Sequence, residues 1–264
     1  AGAVVRSARD MLAAWDGAGA RSPSGAVAYW QEGSIATTVI LADHSAARAW
    51  DFGADRYRSL RPIFHATFWP AIRKVNVRAI VEASNSEAAQ DQTYAVTVTA
   101  GDAAPWHHDR FTHTGFTSWS HSFWIGGAPT DRVDIDYNLG YLTSILAVPN
   151  FDTRRVIPKA VIDASAAAWR DAPKDLYDAG SGGWPPSGWQ KAMGSAGGRP
   201  DIGPYPRWHV QWLYTGDYRM RQYALGLTEL ASAWPTRIRE ANSAKYLDRG
   251  RTVPGLGYPV SIST

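Results

Sequence analysis

Strand-patterned and helix-patterned sequence are segregated in this chain, and they meet at one seam, Gly126-Gly127-Ala128-Pro129. Upstream, apolar residues recur at every second position. Between 72 and 83, Val75, Val77, Ala79 and Val81 share one face, while Asn76, Arg78 and Glu82 share the other, with Ile80 as the exception. Residues 94–99 set Val96 and Val98 against Thr97 and Thr99, and residues 27–30, 35–42, 63–69 and 111–125 also read as strands. The run at 35–42 is β-branched and continuous, which predicts burial on both faces. Downstream the period changes. Helices are expected within 133–148, across 158–170, and as a hairpin inside residues 197–240. A chain that spends its strands first and its helices afterwards predicts an α+β fold. Its expected form is an N-terminal antiparallel β-sandwich over 1–127, followed by a helical region over 128–264.

The hairpin is the most sharply written part. Pro204 and Pro206 suit a helix start, where a missing N–H costs nothing. Trp208, Gln211, Trp212 and Tyr214 follow. Gly216 is placed to end the first helix in the left-handed conformation and Asp217 to cap the second. Met220, Tyr223, Ala224, Leu227, Leu230, Ala231 and Trp234 then fall at steps of three and four, until Pro235 limits continuation. One hairpin and two further helices make a poor closed bundle. The helical region is therefore expected to be completed by another chain or by a C-terminal part beyond this sequence, and to expose an apolar face where that partner packs.

Composition narrows the function. A net charge of +3, with 19% charged residues and no Lys/Arg block, does not describe a nucleic-acid surface. The absence of cysteine removes disulfides, thiolate chemistry and cysteine-ligated metals. No run approaches the roughly 18 apolar residues of a membrane-spanning helix, and no signal peptide is visible. A start at Ala1 without Met predicts a processed or partial product, and the expected setting is secreted or periplasmic. Thirteen tryptophans exceed what packing needs, and flat indoles stack on sugar rings.

The stretches RPIFHATFWPAIRKVNVRAIVE (61–82) and GGRPDIGPYPRWHVQWLYTGD (197–217) carry a resemblance. The chain resembles carbohydrate-active enzymes that join a β-sandwich to an α/α-toroid, the exo-rhamnogalacturonan-lyase-like proteins above all. A full toroid has several more hairpins than this chain. What the resemblance implies is a carbohydrate-active protein acting on an acidic polysaccharide, as a lyase or a glycoside hydrolase. A non-catalytic subunit of a surface layer, fibre or particle, or a sugar-binding module, are the alternatives.

The candidate catalytic group is Arg199, Asp201, Tyr205 and His209, with Arg207 as a substrate contact. Arginine clamps a uronate carboxylate through paired hydrogen bonds, and His209 or Tyr205 exchanges the proton beside it. The loop 180–198 adds Trp184, Trp189, Gln190 and Lys191 as a stacking platform with hydrogen-bonding ends. The same residues equally suit a loop that closes over its own apolar side chains. Asp175 or Asp178 with Asp201 is the carboxylate pair that glycoside hydrolysis would need. Adjacent His107 and His108 on a strand face opposite ways, so no metal site is expected from them, nor any cofactor: HExxH, GxxxxGK[ST] and GxSxG are all absent.

Overall fold

The computed structural model describes residues 27–42, 60–84, 90–130, 132–149, 152–171 and 205–230, together with Val5, Ser7, Ala8 and Ile238. These residues belong to two units, one made of Ala1–Ala128 with Ser232–Thr264 and the other of Pro129–Ala231.

Among its described residues the first unit is antiparallel throughout. Seven strands follow in order: β1 (Val27–Gln31), β2 (Thr37–Ala42), β3 (Leu60–Trp69), β4 (Lys74–Ala83), β5 (Gln92–Ala100), β6 (Ala103–His113) and β7 (Ser118–Ile125). Five form one sheet in the order β1-β2-β3-β4-β7, and β5 and β6 form a separate two-stranded ribbon. β4 starts two residues later than the apolar pattern suggests, because Pro70–Ile72 makes a 3₁₀ turn closed by Arg73 in the left-handed conformation (φ 51°). Ile35 also falls outside its expected strand and is exposed, so the run at 35–42 is not buried on both faces.

Register fixes what each face carries, since directly opposed residues in an antiparallel sheet share a side. One face bears Leu41, Phe64 and Ala79 in one row and Val39, Ala66 and Val77 in the next. Leu41 and Ala66 are its buried centre, with Ala8, Val39, Phe64 and Val75 packed around them. At the β7 side the same face carries Trp119 and His121, opposite Val81 and Ala79. Here the ribbon lies against the sheet: Trp106 of β6 stacks on His121 (5.1 Å, 16°) and packs at a tilt of 46° on Trp119 (5.0 Å). Phe111, fully buried, meets Trp119 edge-on at 5.6 Å.

The second unit is helical: α1 (Leu139–Ser144), α2 (Lys159–Asp171), α3 (Arg207–Thr215) and α4 (Tyr218–Leu230). α3 and α4 form the expected hairpin. Gly216 ends α3 at φ 64° and its N–H donates to the Trp212 carbonyl. The Asp217 carboxylate accepts from the N–H groups of Arg219 (2.8 Å) and Met220 (3.4 Å). A second cap comes from a distance: Asp134 accepts from the Tyr218 N–H at 2.8 Å. Met220, Ala224 and Leu227 are fully buried along α4, as the stripe predicts. Trp169 of α2 stacks on Tyr223 (5.3 Å, 19°), and Gln211 donates to the Ser165 hydroxyl (3.0 Å) in the buried seam of α2 and α3. Among the described residues no helix is long and apolar enough to cross a membrane. The coarse expectation of antiparallel β structure followed by a few helices holds in this arrangement.

Candidate functional site

Of the site residues expected from sequence, Tyr205, Arg207 and His209 are described; Arg199, Asp201, Trp184, Trp189, Gln190 and Lys191, with Asp175 and Asp178, lie outside the described residues. Tyr205 and Pro206 enter α3, and Arg207 is its exposed first residue. His209 is two positions further on, so the two side chains leave the helix in different directions. His209 sits beside Trp212 (6.2 Å between rings), half-buried. Its Nδ1 is buried without a hydrogen-bond partner among the described residues, and burial lowers its pKa. Arg207 instead acts on buried Tyr223, opposing the rise that burial causes in the phenol's pKa.

An open groove of about 720 Å³ in the helical unit is lined by Asp134, Asp136, Tyr137, Arg155, Tyr214 and Thr215, among others. Its carboxylates are engaged locally: Asp134 caps α4, and Asp136 accepts from the Asn138 N–H at 2.8 Å. These contacts account for the acidic lining as fold chemistry.

The histidines of the β unit divide as strand alternation requires. His107 lies on the exposed side, bonded to Thr97 (2.8 Å) and Asp109 (2.8 Å). His108 lies on the other side with Trp106 and Phe111. His113 is completely buried. Tyr94 links it to Trp119: the indole N–H donates to the Tyr94 oxygen (2.8 Å), which lies 2.9 Å from His113 Nδ1, while His113 Nε2 lies 3.2 Å from the Thr117 carbonyl. That carbonyl requires a proton on Nε2, so Nδ1 accepts from the Tyr94 hydroxyl and the ring is neutral. Burial pushes its pKa down to about 4.

The most ligand-like surface is the other face of the five-stranded sheet. One row reads Thr38, Thr67, Asn76, Trp124 across β2, β3, β4 and β7; the next reads Ile40, His65, Arg78, Ser122. Thr38 and Thr67 share a hydroxyl–hydroxyl bond (2.9 Å), Arg78 donates to the Ser120 hydroxyl (3.1 Å), and Asn76 donates to the Phe123 carbonyl (3.3 Å). Arg78 Nε and Trp69 Nε1 are buried and have no acceptor among the described residues. Lys74 lies opposite Trp69 at the end of this face, and no carboxylate falls in the two rows. At the opposite end, buried Arg61 faces buried Glu82. Trp30, at the register break of the edge strand β1, is 76% exposed.

This surface was written in the alternation of 72–83, which places Asn76 and Arg78 together. Missing was the cross-strand register that brings His65, Thr67 and Trp124 into line with them, a product of turn length that the sequence pattern leaves open. Comparison with protein families, with curated proteins and with solved structures returned no match for this chain.

Proposed function

We propose that the chain is a carbohydrate-active protein whose target is an acidic polysaccharide, held on the polar face of the five-stranded sheet. The observation that carries this reading is the pair of rows Thr38–Thr67–Asn76–Trp124 and Ile40–His65–Arg78–Ser122. They combine an indole, hydroxyls, an amide and a guanidinium, and the one carboxylate these strands carry on that face, Glu82, lies outside both rows, buried opposite Arg61. An indole offers a flat apolar face to a pyranose ring, hydroxyls and amides match its hydroxyls, and a guanidinium with donors in hand suits a ring carboxylate. Such positions on rigid strands also limit the ordering cost of binding.

Binding of oligogalacturonate and of a neutral oligosaccharide of equal length tests it. The acidic ligand should bind and the neutral one should not. Arg78→Ala and Trp124→Ala should each weaken binding at least about tenfold, which corresponds to the loss of one charged hydrogen-bonded contact or one stacking face. Equal affinity for both ligands, or unchanged affinity in both variants, overturns the reading.

Lyase-like turnover is a second reading, favoured by one feature: burial lowers the pKa of His209, and its Nδ1 is unbonded within the described residues, both of which favour the uncharged imidazole that a proton-abstracting base requires. Its signature is ultraviolet absorbance from unsaturated uronate product, lost in His209→Ala and retained in Arg78→Ala at saturating polysaccharide.

A further inference from the structure

His65 and Arg78 are directly opposed on β3 and β4, in the same row of the polar sheet face. Side chains so placed stand about 5 Å apart at their Cβ atoms. The ionic surroundings of His65 on this face are one-sided. β3 contributes Arg61 besides His65 itself; β4 contributes Lys74, Arg78 and Glu82. β2 contributes only Thr38, Ile40 and Ala42, and β7 only Ser118, Ser120, Ser122 and Trp124. Glu82 is opposed to Arg61, four residues along β4 from Arg78, and both are buried. The charged neighbour nearest in register to His65 is therefore a cation.

A half-buried imidazole in that position resists a proton for two reasons, loss of hydration and repulsion by Arg78, and both act in the same direction on His65. An anion seated on Arg78 cancels the second and adds an attraction of its own. We propose, on the reading that this face holds an acidic saccharide, that His65 takes up a proton when the saccharide binds, so that the sheet grips its ligand more tightly as the pH falls. Binding and protonation are reciprocally linked: whatever raises the proton affinity of His65 is matched by an equal gain in ligand affinity at low pH. A rise of about one pKa unit on binding gives a gain of up to about tenfold. The gain is confined to the window between neutrality and the onset of carboxylate protonation, roughly pH 7 down to pH 4.5.

The experiment is calorimetric titration of the full chain with oligogalacturonate at about pH 6, in two buffers of different ionisation heat. The buffer dependence of the observed heat gives the protons taken up. The unmodified chain should take up a fraction of a proton, and affinity should rise several-fold from about pH 7.5 to pH 5. His65→Gln should abolish both effects, whatever its affinity at neutral pH. Should His65→Gln prove poorly folded, imidazole resonances of the unmodified chain supply the same answer, since the His65 pKa should rise on adding ligand. A sulfated oligosaccharide, whose charge does not titrate, separates proton uptake by the protein from protonation of the ligand and should show the same rise. Binding without proton uptake, or uptake unchanged in His65→Gln, overturns the linkage and leaves the polysaccharide reading standing. Absence of binding at every pH overturns both.

Discussion

Tyr94 shows how much one hydroxyl can hold. It accepts from the Trp119 indole and donates to His113, and so joins the ribbon strand β5 to β6 and to β7 of the sheet. Tyr94→Phe keeps the ring that packs against Phe111 at 5.5 Å but leaves an indole N–H and an imidazole nitrogen without this partner in a buried layer. A loss of about 2–3 kcal/mol is expected, measured as a lower midpoint in urea with unchanged slope. Phe111→Tyr, by contrast, would force a hydroxyl into a fully buried aromatic site, and should destabilise by a comparable amount for the opposite reason. Neither residue announced its role in the sequence. The neighbours His107 and His108 were visible, yet the partners of the adjoining Trp106, namely Trp119 and His121, come from another strand.

Among elements, the α3–α4 hairpin was the most legible, because each of its signals is local: a Pro-led start, a left-handed glycine, an Asp cap and a stripe at helical spacing. Gly216 meets two demands at once. Its φ of 64° is strained for any L side chain, and a Cβ there would collide with the backbone of Ile135. Gly216→Ala should cost about 2–4 kcal/mol, and thermal unfolding followed by helical circular dichroism checks it. Gly226, unremarkable in sequence, has a similar constraint from a different source, since an added methyl would run into the ring of Trp169. Gly226→Ala should disturb the Trp169–Tyr223 stack, visible as a change in tryptophan emission even if helix propensity improves. The strands were legible as strands for the same local reason. Their assembly was not: the separation of β5 and β6 from the main sheet depends on where β7 pairs, and alternation alone is silent about that choice.

For the whole molecule, acid is the condition to which the design is most exposed. Buried His113 binds its proton only near pH 4 in the folded state, against an ordinary value of 6.5. Above pH 6.5 both states are neutral at this group and stability is at its full value. As the pH falls from about 6.5 towards about 4 the unfolded chain gains a proton that the folded chain refuses, so stability declines, by about 3 kcal/mol in total, and levels off below. His113→Asn should be less stable at neutral pH yet lose this part of the acid slope, as denaturation at a series of pH values would show. The strand order has a kinetic counterpart. β3 and β4 are neighbours in sequence as in space, so their pairing forms by closing the short turn at residues 70–73. β7 must find β4 across the inserted ribbon, from Glu82 to Ser118, a loop of about 35 residues. Closing it costs roughly 2 kcal/mol more chain entropy than closing the turn between β3 and β4. The ribbon, folding first on itself, shortens that search, and its aromatic face meets Trp119 only as β7 arrives. Refolding should then pass its highest barrier at the docking of β7: substitutions in Trp119 should slow folding, whereas those at the β1 edge should chiefly speed unfolding.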